Sequence, residues 1–127
     1  MSNTTLQAKQ PQKIFIIEDE GDMCLLLNIM LHGKEIELEH AKTLAAAQEY
    51  LKKENPSVVI LDNKLPDGLG VDFVSYIKKN NPSVKIVMIS GYTPEIKNMA
   101  LANGADMFLE KPFTRETLYN SIKKLLN

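Results

Sequence analysis

Polar side chains that could do chemistry stand directly after short apolar runs of this chain. The runs are three or four residues long and rich in branched or aromatic side chains. The polar residues that follow them are, in chain order, Glu18, Asp19 and Glu20, then Asp62, then Ser90, and then Lys111. If the runs are parallel strands, their carboxyl ends meet at one edge of a sheet and bring these groups together.

The acidic residues of this set predict a metal site. Two carboxylates about 4 Å apart repel each other by roughly 4 kcal/mol at an effective dielectric constant of about 20. A cluster of Glu18, Asp19 and Asp62 therefore needs a cation or a proton beside it. Because the ligands are hard oxygens with no His or Cys nearby, we expect Mg²⁺ rather than zinc.

Asp62 is the candidate for chemistry at phosphorus. A carboxylate can accept a phosphoryl group and form an acyl phosphate. Lys111 and the hydroxyl of Ser90 are suited to hold the remaining phosphoryl oxygens. Phosphoryl transfer depends mainly on positioning and charge neutralisation, and this set of residues can supply both.

The apolar runs predict the strands that position this site. Their length, composition and continuous hydrophobicity favour buried strands of a parallel sheet that is covered on both faces. A fifth segment, Glu35 to His40, alternates apolar and charged residues, which predicts an edge strand with one wet face. The four continuous runs are Ile14–Ile17, Val58–Leu61, Ile86–Ile89 and Met107–Leu109.

Between the strands, apolar residues recur at helical spacing and predict five amphipathic helices. Thr93 and Thr114 are expected to cap the starts of the last two helices, and Gly33 and Gly104 to end the first and the fourth. The predicted core stripes are Met23, Leu26, Leu27, Met30 and Leu31; Leu44, Ala47 and Leu51; Phe73, Val74 and Ile77; Ile96, Met99 and Ala100; and Leu118, Ile122, Leu125 and Leu126.

This alternation predicts an α/β fold: a doubly wound five-stranded parallel sheet with five helices in three layers. Strand–helix–strand connections are almost always right-handed, and helices must cover both faces of the sheet. The polar residues 1–12 are expected to form a disordered arm before a single domain over residues 13–127.

Composition narrows the function further. Fifteen Lys and Arg stand against 16 Asp and Glu for a net charge of −1, which does not suggest direct nucleic-acid binding. The chain has no apolar stretch long enough to insert in a membrane and no signal peptide at its start. Cys24 is the single cysteine, so a reducing cytoplasm is the expected location.

Taken together, these residues resemble the receiver domain of two-component response regulators. The resemblance covers the chain from about Lys13 to Asn127. The motifs that support it are Glu18-Asp19, Asp62 followed by Leu65-Pro66-Asp67-Gly68-Leu69-Gly70, Ser90-Gly91, and Lys111-Pro112-Phe113. All four in this order and at these spacings form a specific signal.

The resemblance implies a flavodoxin-like sheet of strand order 2-1-3-4-5 and a role for each site residue. Asp62 would take a phosphoryl group from the phosphohistidine of a histidine kinase or phosphotransfer protein. Lys111 would pair with that group, and the Lys111-Pro112 peptide bond is expected to be cis. The implied Mg²⁺ ligands are Glu18, Asp19, Asp62 and the main-chain carbonyl of Lys64.

The resemblance also implies a conformational switch. On phosphorylation, Ser90 would move toward the phosphoryl group and Phe108 would turn inward, changing the face formed by the fourth helix, fifth strand and fifth helix. Three residues depart from the commonest family pattern. Glu18 replaces an Asp and should still support metal binding, and Phe108 replaces a Tyr. Lys64, two residues after Asp62, is expected to change the dephosphorylation rate.

Three other functions fit parts of the sequence. An aspartyl phosphatase would place its nucleophile after the first strand, with a second Asp two residues on, but Asp19 is followed by Glu20 and Gly21. A flavin-binding protein would need a phosphate-binding loop where this chain has acidic residues. A pseudo-receiver would act as a phosphorylation-independent interaction module, although all the reactive residues are present here.

The output of such a regulator stays open. No effector domain follows the receiver resemblance, so the chain is either a regulator that signals by docking or a piece of a larger protein, and we favour the first. We expect a downstream target protein as partner, and a phosphorylation-dependent homodimer stays a further possibility.

Overall fold

The computed structural model describes residues 11–91 and 93–126. Within them, a five-stranded parallel sheet has the order β2-β1-β3-β6-β7, and a separate two-stranded hairpin joins β4 to β5. The strands are β1 (Gln12–Ile17), β2 (Ile36–Ala41), β3 (Val58–Asp62), β4 (Lys64–Leu65), β5 (Gly68–Leu69), β6 (Lys85–Ser90) and β7 (Met107–Glu110).

Among the described residues, four helices connect the strands of the sheet and a fifth helix follows β7. Counting only the strands of the large sheet, the order is 2-1-3-4-5, so the predicted fold is confirmed. The predicted edge strand is β2, and its Ile36 and Leu38 are half-buried beside the exposed Glu37 and Glu39. The helices are α1 (Gly21–Leu31), α2 (Leu44–Lys53), α3 (Gly70–Asn80), α4 (Pro94–Asn103) and α5 (Arg115–Leu126).

The sheet separates two apolar cores, because successive side chains of a strand point to opposite faces. Phe15, Val59 and Met88 pack on one face with α2, α3 and α4. Ile16 and Ile60 pack on the other face with α1 and α5. Both faces of the sheet are therefore covered, as the continuous apolar runs predicted.

Helix ends agree with the sequence at some positions and correct it at others. Gly104 ends α4 in the left-handed conformation with φ of 117°, and the hydroxyl of Thr114 accepts from the Thr117 N–H at 3.0 Å, as predicted. Thr93 precedes α4 without a side-chain cap. Gly33 was wrongly predicted as a cap: α1 ends at Leu31, and the chain then turns without a positive φ at this glycine.

Two residues assigned to core stripes lie at the surface. Leu26 is 40% exposed and Met99 is 45% exposed. The buried side chains of α1 are Leu27, Met30 and Leu31, and that of α4 is Ala100. A helix packed on one face of a sheet buries only a narrow stripe, so not every apolar residue at helical spacing can reach the core.

The predicted arm mostly lies outside the described residues. Residues 1–10 and Asn127 are not described, and β1 already begins at Gln12, the last residue assigned to the arm. Within the described part of the chain, no helix combines the length and hydrophobicity that crossing a membrane would require.

Candidate functional site

The predicted site residues meet at the carboxyl end of the sheet. Glu18 follows β1, Asp62 ends β3, Ser90 ends β6 and Lys111 follows β7. All four line one cavity of about 580 Å³, together with Asp19. The sheet thus brings together groups that are up to 93 residues apart in sequence.

Three carboxylates form the negative side of this cavity. Glu18, Asp19 and Asp62 each place an oxygen within 4.8 Å of the other two. Glu18 is 1% exposed and Asp62 is 6% exposed, whereas Asp19 is exposed at the cavity mouth. Such a set of oxygens, buried on one side and open on the other, has the donor chemistry that a hard divalent cation prefers.

Lys111 supplies the positive charge. Its Nζ donates to Asp62 Oδ1 at 2.8 Å and to Glu18 Oε1 at 3.4 Å. Partial burial alone would lower the pKa of Lys111, but the hydrogen bond and charge of Asp62, with the charge of Glu18, outweigh burial and raise it. Lys111 is therefore a fixed cation held directly beside the proposed phosphoacceptor oxygen.

Glu18 is the most perturbed acid of the site. Burial and the negative charge of Asp62 raise the pKa of Glu18 to about 7, against the opposing effects of Lys111 and of the Glu20 N–H. That N–H lies 3.3 Å from Glu18 Oε2. One ammonium group does not balance the carboxylates of this cluster, so a further cation would be stabilised here.

Lys64 and Ser90 line the cavity of the acidic cluster, whereas Phe108 does not. Lys64 begins β4, and its exposed side chain lies at the rim of the cavity. Ser90 is half-buried at the end of β6, and the partly buried Phe108 of β7 packs against the core between the sheet and α3. Phe108 is paired with Met88, two residues before Ser90, on the neighbouring strand.

Asn63 also belongs to the site, although no sequence motif singles it out. Its side chain is 5% exposed and lines the same cavity. Asn63 Oδ1 accepts from the Val71 N–H at 3.0 Å, and its main-chain oxygen accepts from the Gly70 N–H at 2.7 Å. A polar residue at the end of a buried strand, ahead of a helix without its own capping side chain, is the signal that could have found it.

The backbone fits closely around Asp62. A Cβ added at Gly70 would lie 2.1 Å from the main-chain oxygen of Asp62, so only glycine allows α3 to begin this close to the strand end. The Lys111-Pro112 peptide bond is cis, as the resemblance implied. The Lys111 N–H also donates to the Ser90 main-chain oxygen at 2.7 Å, which fixes the loop that presents Lys111.

Comparisons with known proteins agree with this geometry. The family model of the response regulator receiver domain matches residues 14–123. Response regulator protein PilR of Pseudomonas aeruginosa is 36% identical over 102 residues, which cover 80% of this chain. The chain spans only 23% of PilR and 44% of the KDP operon regulator KdpE of Escherichia coli.

Solved structures share the whole fold. A CheY-like receiver domain from Methanospirillum hungatei matches with a TM-score of 0.86 at 27% identity, over 92% of this chain and 94% of that one. The beryllofluoride-activated NtrC4 receiver domain, solved as a dimer, matches with a TM-score of 0.84 at 32% identity, over 90% and 95% of the two chains. On sequence, fold and relatives alike, this chain belongs to the response regulator receiver domain family.

Proposed function

We propose that this receiver domain is switched by transfer of a phosphoryl group to Asp62 from the phosphohistidine of a histidine kinase or phosphotransfer protein. The observation that supports this most strongly is the position of Lys111 Nζ, 2.8 Å from Asp62 Oδ1 beside three clustered carboxylates. This arrangement provides a nucleophilic oxygen and a fixed cation in one open cavity.

The proposed metal ligands are Glu18, Asp19, Asp62 and the main-chain carbonyl of Lys64. Their all-oxygen chemistry fits Mg²⁺, which would neutralise charge on the transferring phosphoryl group when bound. Of the two buried acids, Glu18 directly follows β1 and Asp62 ends β3, and these strands are neighbours in the sheet. Their position therefore does not depend on ordering a loop.

In the proposed transfer, an oxygen of the Asp62 carboxylate attacks phosphorus. The new P–O bond forms as the P–N bond to the donor imidazole breaks, and the bond's electron pair leaves with the imidazole nitrogen. Lys111, which now donates to Asp62 Oδ1, would then pair with a phosphoryl oxygen. Hydrolysis of the acyl phosphate by water would reset the domain.

The proposed switch links phosphorylation in the cavity to a change at the surface of the domain. Ser90 would turn its hydroxyl toward the phosphoryl group, and Phe108 would move into the space that Ser90 leaves. This would shift the population of the domain toward a conformation in which the face formed by α4, β7 and α5 presents a different surface. Exposed Met99 and Leu101 of α4 give this face apolar surface that a target or a second receiver could cover.

Helix α1 is the proposed docking surface for the phosphodonor protein. Asp22 is the single charged residue of the helix, and Leu25 and Ile29 are 61% and 62% exposed. The helix begins directly after Glu20, which lines the acidic cavity. A protein that brings a phosphohistidine to Asp62 therefore meets this apolar surface beside the cavity, and covering it is favourable.

Comparing phosphorylation by a donor protein with phosphorylation by acetyl phosphate tests this docking surface. Leu25→Lys with Ile29→Lys should slow phosphorylation by the donor protein about tenfold or more, because apolar contacts are lost. Phosphorylation by acetyl phosphate should be unchanged, and the control Leu101→Lys on α4 should leave both donors unaffected. Phosphorylation by the protein donor at the wild-type rate would show that α1 does not recognise it, and an equal loss with both donors would indicate damage to the site itself.

The chemistry itself is tested by the mass of the intact protein after incubation with acetyl phosphate, with and without Mg²⁺. We expect one added phosphoryl group that requires Mg²⁺ and is absent in Asp62→Asn. No adduct in the wild type, even when the sample is quenched rapidly, would favour a phosphorylation-independent interaction module.

A further inference from the structure

The segment that carries the proposed metal-binding carbonyl is a closed hairpin. Strands β4 and β5 pair antiparallel, with Lys64 opposite Leu69 and Leu65 opposite Gly68. The base of the hairpin is fastened to α3 through Asn63, whose backbone and side-chain oxygens accept from Gly70 and Val71. We call residues 63–70 the hairpin loop.

The tip of the hairpin loop is fastened to a different helix. Asp67 Oδ1 accepts from the Leu44 N–H at 2.8 Å, and Asp67 Oδ2 accepts from the Ala45 N–H at 3.0 Å. These are the first two N–H groups of α2, which have no partner within the helix. Both oxygens of Asp67 are therefore used to join the loop to α2.

The contact between the loop tip and α2 is close as well as polar. A Cβ added at Gly68 would lie 2.9 Å from Leu44 Cδ1, and the φ of 153° at Gly68 favours glycine. Leu44 and Leu65 are both packed against the same apolar core. The loop thus has an anchor at its base, one in its middle and one at its tip.

Lys64 itself has no anchor outside the hairpin among the described contacts. Its side chain is exposed at the cavity rim, and its pairing partner in β5 belongs to the same loop. The place of its main-chain carbonyl relative to Asp62 is therefore set by the residues that hold the loop as a whole.

We propose that Asp67 is a positioning residue of the phosphoacceptor site: by binding the start of α2, it holds the hairpin loop and with it the Lys64 carbonyl in place beside Asp62. This inference rests on the proposed function, because it assigns Asp67 a role in metal binding. Asp67 touches neither the acidic cluster nor the cavity among the described residues, so it acts through the loop.

If Asp67 only stabilised α2, its substitution would be expected to have a different effect on metal binding. As a cap of α2 it would stabilise the helix and leave metal binding unchanged. Thr43 provides the matched control, because its Oγ1 caps the same helix by accepting from the Ala46 N–H at 3.0 Å. Thr43 lies in the connection before α2 and not in the hairpin loop.

The experiment compares Asp67→Ala, Asp67→Asn and Thr43→Ala by calorimetric titration with Mg²⁺ and by thermal unfolding. We expect the Mg²⁺ dissociation constant to rise about tenfold in Asp67→Ala, as for residues that orient metal ligands. Asp67→Asn keeps one acceptor oxygen and should fall between Asp67→Ala and the wild type. Thr43→Ala should lower the unfolding temperature while leaving the Mg²⁺ dissociation constant unchanged.

Amide hydrogen exchange gives a second measurement that needs no metal. The Gly70 N–H, at the base of the loop, should exchange faster in Asp67→Ala than in Thr43→Ala. Equal Mg²⁺ affinity and equal Gly70 exchange in these two variants would overturn the proposal. If the wild type binds no Mg²⁺, the metal site of the proposed function fails and the role of Asp67 in metal binding fails with it. Gly70 exchange then reports only whether Asp67 holds the loop.

Discussion

At the scale of single residues, the site is defined by an imbalance of charge. Glu18 and Asp62 are almost fully buried and share one ammonium group, that of Lys111. Burial, and after it the negative charge of Asp62, makes Glu18 harder to ionise and raises its pKa. The same imbalance that weakens the metal-free protein at high pH creates affinity for a cation.

In EDTA, without bound metal, the unfolding free energy should depend on pH because of Glu18. The pKa of Glu18 rises from 4.5 to about 7 on folding, so the folded chain binds this proton more tightly than the unfolded chain. This contribution to the unfolding free energy is present below the unfolded pKa of 4.5. It is lost as pH rises from 4.5 to about 7, by up to about 1.4 kcal/mol per pH unit.

Glu18→Gln isolates this contribution. The variant should lose less unfolding free energy than the wild type as pH rises from 4.5 to 7. Above pH 7 and without metal, the variant should be more stable than the wild type. Urea denaturation at several pH values measures the difference. Parallel pH profiles for the two proteins would mean that Glu18 is not the titrating group.

The second residue-scale prediction concerns Lys111. Lys111→Met keeps most of the apolar length of the side chain but leaves Asp62 and Glu18 without their cation, which should cost about 3 kcal/mol of unfolding free energy above pH 7 in EDTA. The loss should shrink at lower pH, where Glu18 carries a proton. A loss that is independent of pH would indicate a packing role for Lys111 instead.

Most site residues could be predicted because each one directly follows a strand. Glu18, Asp62, Ser90 and Lys111 all stand at strand ends, so the parallel sheet alone brings them to one edge. Asn63 could not be found this way. Its role depends on where α3 begins relative to β3, and that close approach is a tertiary contact.

At the scale of secondary structure, the start of α3 is fitted against the end of β3. Gly70 is buried, and its N–H binds the Asn63 main-chain oxygen. Gly70→Ala would place a methyl group 2.1 Å from the Asp62 main-chain oxygen. We expect a loss of about 3 kcal/mol in unfolding free energy from this overlap. The loss would come with weaker Mg²⁺ binding, because α3 and Asp62 must move apart.

Gly21→Ala is the matched control for this prediction. Gly21 also begins a helix, α1, but a Cβ there meets nothing within 4 Å. The substitution should therefore stabilise the protein by roughly 0.5 kcal/mol through the unfolded chain. Similar effects of the two substitutions in chemical denaturation would contradict the close approach at Gly70.

The helices and strands were predictable as units but not at every boundary. Four continuous apolar runs and one alternating segment identified the five strands of the sheet, whereas the two-residue strands β4 and β5 are too short to have a periodic signal. Gly33 and Leu26 were assigned from helical spacing alone. Where a helix ends and which stripe it buries depend on its contacts with the sheet and with its neighbouring helices.

At the scale of the whole molecule, the stability of the fold is coupled to cation binding at the site. The acidic cluster joins the ends of the neighbouring strands β1 and β3, and Lys111 joins both to the end of β7. A cation bound here stabilises only the folded chain, because the unfolded chain does not bring these residues together.

Metal binding should therefore stabilise the whole domain. At a Mg²⁺ concentration about a hundred times its dissociation constant, the unfolding free energy should rise by about 2.7 kcal/mol. Asp62→Asn should lose most of this gain, because one proposed carboxylate ligand is removed. Thermal unfolding with Mg²⁺ and with EDTA measures it, and an equal gain in the variant would place the metal elsewhere.

The proposed function depends on Asp62 being the residue that accepts the phosphoryl group. Borohydride reduces an acyl phosphate to an alcohol, which converts a phosphorylated aspartate into homoserine and marks its position permanently. After incubation with acetyl phosphate and Mg²⁺, peptide mass spectrometry should find homoserine at position 62 and unchanged aspartate at positions 19 and 67. Homoserine at another position, or none in a protein that gains the mass of a phosphoryl group, would contradict the assignment of Asp62.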